Sequence, residues 1–289
     1  MSPTAPADSP GATGPAAATT QAMVALVVEE NHSYEQVIGN PAMPYLNSLA
    51  LQGALATQYY ATMHPSIPNY FVLTTGVPQT NDNNFPGPVT GDNLARELII
   101  AGKTWKVYAE NLPSAGYLGG SLGNYVKHHN PFAYFSDVVN NPQQALNIVP
   151  FSQFASDLNA GQLPSFSMIV PDLPDDAHSC LTGATCDDNC ILAEADAWLK
   201  ADIAPLLADP QFQKNGLLLI VFDESNLADI RHGGGRVTLI AAGPRARAGI
   251  QSSATYAHEN TLKTICTALG IATCPGAAAT AGAESDLIN

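Results

Sequence analysis

The stretch Gly216-Leu217-Leu218-Leu219-Ile220-Val221-Phe222-Asp223-Glu224 decides the fold class. Its apolar part has the length of a strand, and it carries no polar residue that could face water. A run of that kind reads as a strand buried on both faces, which a parallel sheet covered by helices requires. Two carboxylates end the run, so at least one of them lies near the core, where an ionised acid needs a partner such as a metal.

The same pattern recurs outward in both directions. Met23–Val28 reads as a short buried strand, and Met43–Gln52 as a helix with Met43, Leu46, Leu49 and Ala50 on one face, stopped by Gly53. Ala54–Ala61 reads as a strand, after which Ser66 opens a helical segment Ile67–Thr75 closed by Gly76. Asn93–Ala101 reads as a helix capped by Asp92 or Asn93 and stopped by Gly102, followed by a strand over Thr104–Ala109. Phe151–Asn159, Ile191–Leu207 and His258–Leu269 read as helices, and Ser165–Val170 and Val237–Ala242 as strands. Strands alternating with helices predict an α/β fold with a mostly parallel sheet covered on both faces.

In such sheets ligands bind at the carboxyl ends of the strands. Four polar clusters fall there: Glu29-Glu30-Asn31, Ser66, the segment from Asp172 to His178, and Asp223-Glu224. Their convergence on one edge of a sheet is the main sign of a catalytic site. The domain plan that follows has a flexible leader over 1–22, a catalytic domain over 23–275 and a tail over 276–289. Within it, residues 111–150 are rich in Gly, Asn, Tyr and Pro and show little periodicity, as expected of an insertion forming a lid or substrate wall.

The 289 residues suffice for one large domain, and 46% hydrophobic against 12% charged residues suits a folded chain. A formal net charge of -14 with only 11 Lys and Arg argues against nucleic acid as a general ligand and against docking on anionic membranes. No apolar run is long enough to span a bilayer. The leader has neither the basic start nor the apolar centre of an export signal, and resembles what remains when such a signal has been removed. Five cysteines cluster as Cys180, Cys186, Cys190 and Cys266, Cys274. Local disulfides in an oxidising compartment are the expectation, hence a secreted or periplasmic protein; a zinc site on His178 and the cysteine triplet is the weaker alternative.

Ser66 stands between Pro65 and Pro68 at a helix start, where backbone N–H groups and the helix dipole favour an anion. Read alone it is an ordinary cap. No glycine-flanked nucleophile turn is visible, so a nucleophilic serine here needs a metal for activation. Glu30, Asn31, Asp223 and Glu224 offer oxygen ligands, which suit Mg²⁺, Ca²⁺ or Mn²⁺, with Zn²⁺ the alternative. His178 is placed to protonate a leaving group or hold a phosphate oxygen, and His232, ahead of Gly233-Gly234-Gly235-Arg236, to help cradle an oxyanion. His258 opens the last helix as a cap or a ligand contact, while His128 and His129 in the insertion carry little weight individually.

The segments Val27-Val28-Glu29-Glu30-Asn31-His32-Ser33, His64-Pro65-Ser66-Ile67-Pro68-Asn69-Tyr70, Ile169 through His178, Val221-Phe222-Asp223-Glu224 and His232-Gly233-Gly234-Gly235-Arg236-Val237 together resemble the phosphoesterase family of acid phosphatases and bacterial phospholipases C. The resemblance runs from Met23 to about Leu269. It implies the three-layer α/β/α fold of the alkaline-phosphatase-like superfamily and hydrolysis of a small phosphorylated substrate. It implies that Glu30, Asn31, Asp223 and Glu224 with Ser66 hold one divalent metal ion, that Ser66 is the nucleophile, and that His178 serves the phosphate site. Asn31, His64, His178, Arg236 and His258 are the expected substrate contacts, and Ser66, His178 and His232 the expected catalytic groups. The serine motif is closer to the phosphatase branch than to the phospholipases. The competing readings are a phospholipase C-type diesterase using the same site and a non-catalytic protein that captures phospho-ligands there.

Overall fold

The structure is a computed structural model and describes residues 21–181 and 185–289. The leader read over 1–22 lies, save for Gln21 and Ala22, outside the described residues. Eight strands form one sheet: β1 Met23–Glu29, β2 Ala54–Tyr60, β3 Trp105–Ala109, β4 Ile148–Pro150, β5 Phe166–Val170, β6 Gly216–Phe222, β7 Arg236–Ala242 and β8 Ile250–Ala257. Their order is β4-β3-β5-β1-β6-β7-β2-β8. Every residue of β1, β5 and β6 is buried, so both faces of the centre are covered.

One helical group joins Ser66–Thr75 with His258–Leu269, and another joins Pro44–Gln52 with Asp188–Trp198. The Ser66–Thr75 helix is buried along its whole length and ends at Gly76 in the left-handed conformation. A Cβ at Gly76 would come 2.5 Å from the Pro275 carbonyl oxygen, so this cap also admits the returning C-terminal chain. Asn93, not Asp92, caps its helix, accepting from the Arg96 N–H at 3.0 Å.

The sheet is mixed at one point. β7 runs antiparallel to both β6 and β2, while the remaining pairings are parallel. Two strands carry no sequence signal strong enough to be read. β4 is three residues long, and β8 is a largely polar edge strand paired only with β2. The helix expected over Ile191–Leu207 is three pieces: Asp188–Trp198, a π-turn over Leu199–Ile203, and Ala204–Ala208. Pro205, which lacks an N–H, breaks the regular ladder there.

Segment 111–150 is not a loose excursion. It holds Tyr125, Phe132, Tyr134 and Phe135 in the core and supplies β4. Residues 276–289, read as a tail, also pack inward: Glu284 and Leu287 are fully buried and the Asn289 N–H bonds to the Arg245 carbonyl. Disulfides join Cys180–Cys186 and Cys266–Cys274, and Cys190 is free and exposed. The pairing leaves no thiolate trio for the zinc alternative.

Candidate active site

The site is assembled by register. β1 and β6 pair with Glu29 opposite Phe222, so the residues that follow, Glu30-Asn31 and Asp223-Glu224, leave the sheet side by side. The Asp223 N–H extends the ladder to the Glu29 carbonyl at 2.9 Å. Asn31 adopts a left-handed conformation, φ 58°, which asparagine tolerates better than most residues. That turn aims its backbone N–H at Asp223 Oδ1 (3.2 Å) and its side-chain amide at Glu30 Oε2 (3.0 Å).

The Ser66–Thr75 helix meets this pair of strand ends with its first turn. Ser66 Oγ donates to Glu30 Oε2 at 3.1 Å and stands 3.4 Å from Glu224 Oε1. Residues three and four positions on share a helix face, and both are used. The Asn69 amide reaches Glu224 Oε2 at 3.4 Å, and the Tyr70 hydroxyl donates to Glu30 Oε1 at 2.7 Å. One helical turn therefore delivers the hydroxyl and two groups that orient the carboxylates around it.

Electrostatically the site is a concentration of buried acid. Burial pushes Asp223 up to about 7 and Glu224 up to about 9, the latter also through repulsion by Asp223. Glu30 is raised well above the usual carboxylate range by burial and by the charges of Asp223 and Asp176. The nearest bases are imidazoles. His64 Nδ1 lies 3.0 Å from Glu224 Oε2 and His129 Nε2 lies 3.2 Å from Glu30 Oε1, yet both nitrogens are out of line for a hydrogen bond. These proximities therefore compensate the acids weakly. Asp223 Oδ2 is buried with no hydrogen-bond partner among the described residues.

The donor set fits a hard divalent cation. Three buried carboxylates gather around a hydroxyl, one carboxylate oxygen is orphaned, and among the described residues no Lys or Arg pairs with them. Glu30, His129 and Asp176 additionally place one ligand atom each within 4.8 Å of one another, so an imidazole lies within reach of the same chamber.

The sequence-predicted residues divide into two groups. Ser66, Glu30, Asn31, Asp223, Glu224 and His64 come together as expected. His178 lies at the rim, exposed, with its ring 6.2 Å from that of His129. Three others are occupied elsewhere. Arg236 lies over the Tyr34 ring at 3.7 Å, pairs with Glu35 and donates to the Thr57 carbonyl. His232 is exposed and packs on Tyr60 with centroids 4.0 Å apart. His258 is fully buried, with Nε2 3.3 Å from the Phe222 carbonyl, and burial lowers it to about 4. The glycines between His232 and Arg236 have a packing reason, since a Cβ at Gly233 would meet the Thr62 carbonyl oxygen at 2.2 Å.

Sequence reasoning missed Asn69, Tyr70 and His129 as site residues. Asn69 and Tyr70 were readable from helical spacing after Ser66. His129 arrives from the aperiodic segment, its Nδ1 3.1 Å from Asp176 Oδ2, and no spacing announces it.

Comparison with known proteins identifies the family. A profile described as the Phosphoesterase family matches residues 40–272. A phosphatidylinositol-3-phosphatase of Mycobacterium tuberculosis is 34% identical over 249 residues, covering 85% of this chain and 76% of that protein. A probable acid phosphatase of Kluyveromyces lactis is 29% identical over 249 residues, covering 83% of this chain and 56% of its own length, so the chain spans little more than half of that relative. A solved alkaline phosphatase superfamily protein from Vibrio parahaemolyticus shares the fold, with a TM-score of 0.57 at 14% identity over 88% of this chain and 67% of its own. With the matched profile spanning most of the folded chain, the protein belongs to the phosphoesterase family, hydrolases that act on phosphoric ester bonds.

Proposed function

We propose that the chain hydrolyses phosphate monoesters of small molecules, with Ser66 as nucleophile and one divalent cation held by Glu30, Asn31, Ser66, Asp223 and Glu224. The observation that carries this reading is the position of Ser66 Oγ at a helix start, within 3.1 Å of Glu30 and 3.4 Å of Glu224, among acids that no Lys or Arg of the described residues pairs with. When bound, such a cation supplies Lewis-acid stabilisation of the seryl oxygen and of phosphoryl charge.

The rest is the work of the chain. With Glu30 and Glu224 held ionised, as the bound cation would keep them, Ser66 passes its proton to one of these carboxylates, which later yields it to solvent, and attacks phosphorus in line, displacing the alcohol and leaving a phosphoserine. Water then attacks phosphorus, releasing phosphate and returning the proton to Ser66. Asn31 and the helix start orient phosphoryl oxygens. His178 at the rim protonates the departing alcohol, and residues 111–150 form one wall of the substrate site. Two disulfides support a secreted or periplasmic setting.

The test is hydrolysis of p-nitrophenyl phosphate from acid to neutral pH by wild type and Ser66→Ala, before and after chelation. Loss of turnover in the variant and in the chelated enzyme, with rescue of the latter by a divalent metal, is the expected result. Undiminished turnover by Ser66→Ala would remove the nucleophile, and indifference to chelation would remove the cation.

A further inference from the structure

The catalytic edge of the sheet holds a second acidic chamber that the reaction above does not use. Glu110 directly follows β3, Asp172 and Asp175 lie on the turn after β5, and Glu29 ends β1. Because β3, β5 and β1 are neighbours, these strand ends lie side by side. One oxygen each from Glu110, Asp172 and Asp175 falls within 4.8 Å of the others.

Crowded acids alone are common. Glu29 sets this group apart. It is 0% exposed, and neither of its carboxylate oxygens has a hydrogen-bond partner among the described residues. By register Glu29 and Glu110 both fall level with Pro171 of the segment between them, so the two acids share one face at the strand ends. Adjacent residues of a strand point to opposite faces. Glu29 accordingly lies on the face opposite Glu30, the face on which Trp198 of the helix Asp188–Trp198 bonds to Glu110.

The donors already present are neutral. The Trp198 indole N–H reaches Glu110 Oε1 at 3.0 Å, the Asp172 N–H reaches Glu110 Oε2 at 3.1 Å, and Asn111 and Asn124 amides share Asp172 Oδ2 at 2.5 and 3.3 Å. None of the ion pairs among the described residues involves Glu29, Glu110, Asp172 or Asp175. Asp196 is committed to the backbone N–H groups of Tyr45 and Leu46.

We propose that Glu29, Glu110, Asp172 and Asp175 form a second cation site, structural and distinct from the Ser66 centre, and that its ion is calcium. Carboxylates on separate segments, able to bind through one oxygen or two, match the high coordination number and adaptable geometry of Ca²⁺. Mg²⁺ holds its waters and rarely accepts so many protein ligands. The ion ties the turn after β5 to β1 and β3. The same turn carries Asp176, which touches His129, so the second site braces the first without entering its chemistry.

Trp198 is a built-in reporter, because its indole bonds to a proposed ligand. The experiment titrates the EDTA-stripped full chain with CaCl₂. It follows tryptophan fluorescence, thermal unfolding and bound ⁴⁵Ca by equilibrium dialysis. Wild type should show a saturable fluorescence change and a rise in Tm of several degrees. Glu110→Gln with Asp175→Asn should lose both and bind one ion fewer. Glu30→Gln with Asp223→Asn, in the Ser66 centre, should keep the fluorescence response. If the double variant fails by circular dichroism to fold, the half-buried Asp175→Asn alone should weaken calcium binding at least tenfold. A wild type without a fluorescence response, a response lost with the Ser66-centre variant, or an unchanged response in the chamber variants would overturn the proposal.

Discussion

Tyr70 and His129 lie flat against one another, ring planes 5° apart and centroids 5.0 Å apart, and both reach the same oxygen, Oε1 of Glu30. The tyrosine comes with the Ser66 helix and the histidine from a turn far along the chain. The tyrosine's bond holds the carboxylate nearest to Ser66, with the imidazole stacked behind the phenol. Tyr70→Phe keeps the stacked ring and deletes the 2.7 Å bond. The expected outcome is a fall in kcat/KM of about 10- to 100-fold, as for other groups that orient metal ligands, with a stability loss of only about 1 kcal/mol in urea. A wild-type kcat/KM in this variant would show that Glu30 needs no such support.

Asn69 is a clamp as well as a neighbour of Glu224. Its side-chain oxygen accepts from the Thr62 and Met63 N–H groups at 3.1 and 3.3 Å, and its amide donates to the Met63 carbonyl at 2.7 Å. Asn69→Ala strands these groups beside the turn that precedes Ser66. Stability should fall by about 1–3 kcal/mol, and kcat should fall more than KM rises, because Ser66, the proposed nucleophile, is displaced while the substrate pocket remains. Steady-state kinetics and equilibrium unfolding check both.

The metal-free enzyme should lose stability as pH rises. Asp223 and Glu224 sit at about 7 and about 9 when folded, above their unfolded values. An acid raised on folding holds its proton only in the folded state through that interval. Its stabilising contribution is complete below about pH 4 and disappears as pH rises through the folded value. Calorimetry of the chelated protein from pH 4 to 9 should show a falling Tm, and saturating divalent metal should remove most of the slope. A flat profile without metal would contradict the burial of these charges.

A second buried acid offers the same test away from the site. Glu284 is 0% exposed, accepts from the Thr261 hydroxyl at 2.7 Å, has one oxygen without a partner, and is pushed up to about 7 by burial. Glu284→Gln should match wild type near pH 4.5 and exceed it by about 1–3 kcal/mol at pH 8. Urea midpoints at the two pH values measure the crossover.

What the sequence made legible follows from the strength of local signals. β6 and the helix His258–Leu269 were bounded to the residue, because an unbroken apolar run and a glycine stop leave no alternative. Ser66, Glu30 and Asp223-Glu224 were legible because the ends of parallel strands collect polar clusters. β8 was not, since an exposed edge strand alternates no apolar residues. Arg236 and His232 attracted attention by their chemistry, but their partners, Tyr34 with Glu35 and Tyr60, lie far away in sequence. His129 escaped for the converse reason: its partners Glu30 and Asp176 come from two other segments, and the residues around it have no period.

That histidine changes how the enzyme can be re-engineered. Segment 111–150 looks like an interchangeable accessory, the kind of stretch one would graft between relatives to transfer substrate preference. It brings His129 to Glu30 and buries aromatic side chains in the same interior. A chimera that swaps the segment whole therefore removes a side chain packed against Glu30 along with the proposed substrate wall. Grafts that keep residues 125–135 from this chain and exchange only what surrounds them should retain turnover, and would be the ones in which selectivity can be moved on its own.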